Sequence, residues 1–413
     1  MQVNAPAAAL EPAHRAREGL RTTAVILPPT RMSFHPIAGL PLIQRIALSA
    51  LRAGFADVIV LASNEGDVAS VLRTDERTRS IPIVLGDLTN QLMTERVALI
   101  PSDCLVTTSS LRKVREIDSS SPVLFAPPGE SGQGILVGTR ELVLQLTRPH
   151  GNGNGGSSPS AAAEVQIQTL EDELCIPVSS PETARAAEMQ LLDALRRETA
   201  DTDGPLARFD RVLSTRLSQL LVRTPLRPNH ITIIGTSIGL VAAWCFARGG
   251  YVPGLAAAFL FWIAVVVDGC DGEVARLKFQ ETPFGHLFDV VTDNIVHAAI
   301  FVGLGIGQYR VAPEQNYPLL LTILLIGFGF AVLATYICLI RHPPVLRQEP
   351  RSRSGKLRRR LLRGFELLMN RDFAYLVVAL AVLDLLEWFL WCTAFGTYVY
   401  AAGLFWVYSW RDD

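Results

Sequence analysis

The sequence predicts a two-part chain: an N-terminal α/β domain, then an all-α domain of six membrane-spanning helices. Three observations predict it. In the first half, short β-rich runs (TTAVILP, ADVIVLAS, IPIVLG, RVALIPSD, PVLFAPP) alternate with helical stretches such as residues 40–54, the pattern of a parallel sheet with flanking helices. From about residue 230 to 410 the chain is mostly apolar runs of bilayer-crossing length. The averages over 413 residues, 49% hydrophobic and 19% charged with mean hydropathy +0.28, hide this division. They still exclude a disordered or collagen-like chain, and a formal net charge of −1 argues against a nucleic-acid binder.

In chain order, residues 1–20 read as a tail without the apolar core of a signal peptide, so the N-terminal half is expected in the cytosol. Residues 21–200 form the α/β domain, with a flexible Gly/Ser-rich insertion at about 148–164. Residues 201–229 hold an amphipathic juxtamembrane helix: Leu206, Phe209, Leu213, Leu217, Leu220 and Leu221 share one face, and Arg208, Arg211, Arg216 and Arg223 lie elsewhere. Such a helix is expected flat in the cytosolic interface. Residues 230–413 hold spans at about 231–248, 254–272, 286–306, 317–340, 372–391 and 394–410, with Tyr251, Tyr309, Tyr317, Trp388, Trp391, Tyr398 and Trp410 near their ends. The six cysteines form no CxxC pair and no zinc spacing, so they read as reduced packing residues.

The segment from Arg341 to Arg363 is strongly basic with only Glu349 against it, while the loops on the other side carry just Arg248 and Arg310. The positive-inside rule then places both termini in the cytosol, six crossings apart. The basic segment either sets topology and meets anionic lipid, or also holds a phosphate.

The chemistry concentrates in DGCDGEVARLKFQETPFGHLFDVVTD. Asp268, Asp271, Gly272 and Ala275 fall at i, i+3, i+4 and i+7 and share a helix face. Gly285, Asp289 and Asp293 fall at i, i+4 and i+8 on another. A polar turn with Pro283 lets the two helices run antiparallel, so four carboxylates are expected to converge at the cytosolic membrane face. Carboxylates in a bilayer are costly, at least ~2.5 kcal/mol each at a helix centre, and four together repel. Hard divalent cations such as Mg²⁺ or Mn²⁺ relieve both penalties. Gly272 and Ala275 leave room for a bulky ligand, and Arg276 suits a phosphate. A single acidic pair would read as solvated interfacial acids or an ion path; four acids interleaved with Gly, Ala and Arg point to metal-assisted phosphate chemistry.

The complete pattern D-x2-D-G-x2-A-R-x8-G-x3-D-x3-D resembles the signature of the CDP-alcohol phosphotransferases, integral membrane enzymes of phospholipid synthesis, over roughly residues 203–413. The resemblance implies transfer of a phosphoalcohol group from a CDP-alcohol, either CDP-diacylglycerol or a CDP-polyol. An acceptor hydroxyl attacks the β-phosphorus and CMP leaves. It implies two Mg²⁺ or Mn²⁺ ions on Asp268, Asp271 and Asp289, with Asp293 as general base and also near the metals. It implies that Gly272, Ala275, Arg276 and Gly285 cradle the cytidine diphosphate, and that Asn229 and Thr232 of a PN-x-x-T segment lie beside it. Homodimers are common in the family. Lys278, Arg341 and Arg371, each at a cytosolic helix end, are candidates for the acceptor or its phosphate, or simply snorkel. Asp384 and Glu387 fall in the outer part of span five, near solvent, and His297 reads as a packed or hydrogen-bonded histidine.

AVILPPTRMSFHPIAGLPLIQRIALSALRAGFADVIVLAS resembles the opening of sugar-phosphate nucleotidyltransferases, and IPVSSPETARAAEMQLLDAL their closing segment, which implies a Rossmann-like, nucleotidyltransferase-like N-domain. The phosphate loop is replaced by Leu27-Pro28-Pro29-Thr30-Arg31, whose prolines lack N–H donors. His35 and Leu40 stand where lysines are often found. Asp103 matches one metal ligand, but the second acid falls near Val178. An inactive N-domain is expected; the alternatives are a bifunctional enzyme whose N-domain makes the CDP-alcohol, and a cation-coupled transporter using the acids as an ion path. An intramembrane prenyltransferase would need a second acidic cluster, which the sequence lacks.

Overall fold

The computed structural model describes residues 21–86, 88, 91–117, 121–126, 134–147, 166–169, 175–200, 207–341 and 372–409. The insertion, the basic segment beyond Arg341, and Arg371 lie outside them. Two units are distinguished, Met1–Asp193 and Ala194–Asp413.

In the first unit, the β-rich runs become β1 (Thr22–Ile26), β4 (Asp57–Ala62), β5 (Ile83–Leu85), β6 (Arg96–Ile100) and β8 (Val123–Ala126). Between them lie the short hairpin β2 (Pro36–Ile37) and β3 (Leu40–Pro41), α1 (Leu42–Ala53), α2 (Glu65–Leu72), β7 (Cys104–Val106) and α3 (Thr108–Glu116). After β8 come β9 (Ile135–Thr139), α4 (Arg140–Thr147), β10 (Gln166–Thr169), β11 (Cys175–Pro177) and α5 (Pro181–Ala200). The main sheet has the order β10-β8-β9-β6-β1-β4-β5. β1 pairs in parallel with β4 and β6, with Val25 opposite Ile59 and Leu99. β9 runs antiparallel to β6 and β8, so the sheet is mostly rather than wholly parallel.

Side-chain alternation gives the sheet two apolar faces. Ala24, Ile26, Val58, Val60, Ala98 and Ile100 pack with Ile43, Ile46 and Ala50 of α1. Val25, Ile59, Leu61, Val97 and Leu99 pack on the other side with Val143 of α4 and Leu88. Each fully buried large aliphatic contributes about 1.5–3 kcal/mol, so both helical layers are needed to cover the strands.

The second unit is helical: α6 (Ala207–Leu221), α7 (Pro228–Phe246), α8 (Tyr251–Leu277), α9 (Pro283–Val311), α10 (Tyr317–Thr335) running into a π-helical turn (Tyr336–Arg341), α11 (Asp372–Val382) and α12 (Leu386–Ser409). Five helices are long and apolar enough to cross a membrane, among the described residues: α7, α8, α9, Tyr317–Cys338 and α12. The apolar part of α11, Phe373–Val382, is shorter. These helices are consistent with an integral membrane protein.

The last two expected spans need correction. The break falls at 383–385, not at 392–393. Asp384 takes a left-handed conformation (φ 57°), and the Asp384 and Leu385 N–H groups donate to Ala381 O at 3.2 Å and Leu380 O at 2.7 Å. That is a Schellman closure of α11. Asp384 therefore sits in the turn before α12, and Glu387 in the first turn of α12 itself.

Close helix contacts depend on glycine. A Cβ at Gly303 of α9 would lie 2.2 Å from Ala243 O of α7, and one at Gly307 2.1 Å from Phe246 O. Backbone atoms cannot rotate away, so Gly303→Leu should separate α7 from α9 at a cost of about 3 kcal/mol or more. A markedly lower Tm in detergent is the expected readout, and an unchanged Tm would disprove this packing.

Candidate active site

The site forms where α8 and α9 meet through a short turn. α8 continues past Arg276 and closes as another Schellman motif, Phe279 N–H to Arg276 O at 3.2 Å and Gln280 N–H to Ala275 O at 2.8 Å. Phe279 carries the left-handed residue (φ 57°), a conformation costing a bulky side chain about 1–2 kcal/mol. Thr282 then caps α9, its Oγ1 accepting from Gly285 N–H at 2.9 Å, and Pro283 occupies the first turn, where its missing N–H is harmless.

This turn brings Asp268 and Asp271 of α8 to Asp289 of α9: one carboxylate oxygen from each lies within 4.8 Å of the others. Asp271 is buried and the other two are half-buried. Three of the four acids expected to converge meet at this spacing. Asp293 is half-buried one turn further along α9, about 6 Å by helical rise, and does not join the trio. His297 follows it by one turn; its Nδ1 lies 2.8 Å from Asp293 O, and its ring packs against Phe261 and Phe373. It is the packed, hydrogen-bonded histidine expected.

α7 completes the site. Thr232, buried, donates its hydroxyl to Asp271 Oδ2 and so orients that carboxylate. Asn229 lies beside the start of α9: a Cβ on Gly285 would stand 3.4 Å from Asn229 Oδ1. A Cβ on Gly272 would meet nothing within 4 Å, so α8 presents open space beside Asp271. Ala275 is buried, and Arg276 Nε is buried without a hydrogen-bond partner. An all-oxygen donor set from two helices, one member oriented by a hydroxyl, fits a hard divalent cation, and the bare helix face beside it fits a bulky anionic ligand.

Lys278 turns elsewhere. Its Nζ donates to Thr224 O at 2.7 Å and Leu226 O at 2.9 Å, tying the α8 terminus to the segment between α6 and α7. Burial holds its pKa below the ordinary lysine value. This candidate for the acceptor or its phosphate thus donates to two backbone carbonyls. Arg341 ends the π-helical turn, with its side chain outside the description.

The residue motif reading missed is Glu273. It is buried, and α6 supplies its partners: Ser214 Oγ donates to Oε1 at 2.8 Å and Thr215 Oγ1 at 3.5 Å. α6 therefore docks through hydroxyls, with Ser214, Thr215 and Ser218 all buried, and through Leu217 and Leu221, which pack against Ile231, Cys270 and Val274, while Leu213 and Leu220 face outward. The signal was present as a serine/threonine stripe between the leucines and arginines.

Residues 226–399 match the CDP-alcohol phosphatidyltransferase family. A bifunctional IPC transferase and DIPP synthase of Rubrobacter xylanophilus is 31% identical over 153 residues, 37% of this chain and 34% of that one. A phosphatidylinositol phosphate synthase of Mycobacterium marinum is 33% identical over 153 residues, 37% of this chain and 58% of that one. The chain thus spans a third to under two thirds of these relatives' lengths. Among solved structures, a nucleotidyl transferase from Methanothermobacter covers 33% of this chain and 79% of its own, with 22% identity and a TM-score of 0.27. The C-terminal region of the chain carries a CDP-alcohol phosphatidyltransferase domain.

Proposed function

We propose that this protein is a CDP-alcohol phosphotransferase that moves a phosphoalcohol group from a CDP-linked donor to an acceptor hydroxyl and releases CMP. The observation that carries the reading is the carboxylate trio from α8 and α9, with oxygens within 4.8 Å, beside the open face at Gly272. Asp268, Asp271 and Asp289 would hold Mg²⁺ or Mn²⁺. Bound there, such ions supply charge neutralisation for a pyrophosphate and its developing negative charge. Thr232 keeps Asp271 turned inward, Gly272 and Ala275 let the nucleotide lie against α8, and Arg276 pairs with phosphate. Asn229 and Gly285 shape the far side of the donor cradle. Asp293 takes the proton of the acceptor hydroxyl as its oxygen bonds to the β-phosphorus and the bond to CMP breaks. The acceptor is a polyol phosphate or another alcohol, the active site faces the cytosol, and two copies associate.

The test is CMP release by purified full-length protein with Mg²⁺ or Mn²⁺, offered CDP-diacylglycerol and CDP-polyols against inositol phosphate, glycerol phosphate and lipid alcohols. No CMP with any pair would defeat the reading.

The N-terminal unit is read as catalytically silent. Val178 N–H donates to Asp103 O at 2.7 Å and its side chain packs in the apolar core, so the position expected for a second carboxylate offers no metal ligand. Ser102 Oγ is bonded to Pro28 O at 2.8 Å, within the proline-bearing loop. The curated relative named as bifunctional favours the other reading, an N-domain that makes the CDP-alcohol. Pyrophosphate release from CTP and a sugar phosphate by the full chain would establish that activity.

A further inference from the structure

Glu273 takes no part in the reaction as read above, yet it is only 4% exposed, against 8% for Asp271. Removing a carboxylate from water costs several kcal/mol unless hydrogen bonds compensate. At Oε1 the compensation comes from another helix, through the Ser214 and Thr215 hydroxyls that converge on it. A turn earlier, Cys270 Sγ contacts Ser214 O at 3.4 Å, so α6 and α8 are tied at two successive levels.

The position on the helix gives this a consequence. Glu273 follows Asp271 by two residues, about 200° around the axis, so it lies on the face of α8 opposite the acids. Those acids repel one another and Asp289, which drives α8 to turn them apart. With side-chain tips about 5 Å from the axis, a rotation of about 20° displaces a carboxylate by nearly 2 Å, close to a whole Mg–O bond of ~2.1 Å. A metal site tolerates no such movement.

We propose that Glu273 is a positioning residue: by accepting the α6 hydroxyls it fixes the rotation of α8, so that Asp268 and Asp271 are held toward Asp289. The proposal rests on the reading of the trio as a metal site. α6 is then the back brace of the catalytic helix, which explains why its buried face carries Ser214, Thr215 and Ser218 beside Leu217 and Leu221.

The test compares Glu273→Gln, Glu273→Leu and the double variant Ser214→Ala/Thr215→Val in full-length protein. The readouts are Mn²⁺ affinity by electron paramagnetic resonance and hydrogen exchange of the α6 amides. Glu273→Gln keeps an acceptor oxygen at the same place and should bind Mn²⁺ within about 3-fold of wild type. Glu273→Leu and the double variant should bind it about 10–100-fold more weakly, the range for residues that orient metal ligands, with faster α6 exchange. The double variant leaves the carboxylate in place and keeps the test decisive if Glu273→Leu fails to fold. Wild-type affinity in the double variant would overturn the proposal. So would a Glu273→Gln protein as weak as Glu273→Leu, since charge rather than the hydrogen bond would then be the cause. Wild-type protein that binds no Mn²⁺ would instead defeat the reading of the trio itself, an outcome distinct from either.

Discussion

Asp271→Asn should reduce CMP release by about 10³-fold or more and abolish thermal stabilisation by Mn²⁺, while the metal-free protein melts no lower than wild type. The opposite signs are the point of the experiment. The trio holds three carboxylates with oxygens within 4.8 Å. At an effective dielectric of about 20, two charges so spaced repel by roughly 3 kcal/mol. A metal-free protein therefore gains from losing one of them. The asparagine carbonyl can still accept the Thr232 hydroxyl that now reaches Asp271 Oδ2, so the α7–α8 contact survives. Metal binding loses a charged ligand, and ligand-linked stability falls with affinity. Several kcal/mol of transition-state stabilisation disappear with the ion, which corresponds to the stated loss of rate. The measurements are Tm with and without Mn²⁺ and CMP formation. An Asp271→Asn protein that melts lower without metal and is still stabilised by Mn²⁺ would mean that these carboxylates are structural.

The site was legible in the sequence because its geometry is helical and local. Spacings of three and four residues place Asp268 with Asp271, and Asp289 opposite them, once the turn is short. What spacing could not supply was depth: Asp293 shares a face with Asp289 yet stays outside the trio. The sheet was legible through its β-branched runs, but the direction of β9 was not, since an antiparallel insertion leaves no mark in a five-residue strand.

Within the bilayer, apolar periodicity loses its meaning, because lipid is as apolar as the core. Ala242, Ala257 and Ala258 are fully buried, while Leu240, Val241 and Ile263 face outward. Large aliphatics lie on both sides, since Ile300, Leu324 and Leu390 are fully buried too, so apolar size alone does not separate the inside from the outer face. The role of α6 was hidden in a similar way, because serine and threonine hydroxyls share its buried face with Leu217 and Leu221. The turn after α11 escaped because left-handed Asp384 stands where glycine usually does. Displacing that break by several residues put Asp384 inside a span it does not occupy.

Asp293→Asn is expected to separate chemistry from metal binding. Lying outside the trio, it should leave Mn²⁺ affinity within about 2-fold of wild type, unlike Asp271→Asn. A general base positioned on the attacking hydroxyl is worth about 10²–10⁴ in rate, so kcat should fall by that factor with donor binding retained. The placement favours this division of labour. Asp293 is carried on the same rigid helix as Asp289, and its backbone carbonyl contacts His297 Nδ1 at 2.8 Å, with the His297 ring held between Phe261 and Phe373. This segment of α9 is therefore braced where a proton must be taken in a fixed direction. Mn²⁺ titration and single-turnover CMP formation on the same preparation decide the matter. Equal loss of Mn²⁺ affinity in both variants would make Asp293 a fourth ligand, and an unimpaired single-turnover rate would remove it from the chemistry.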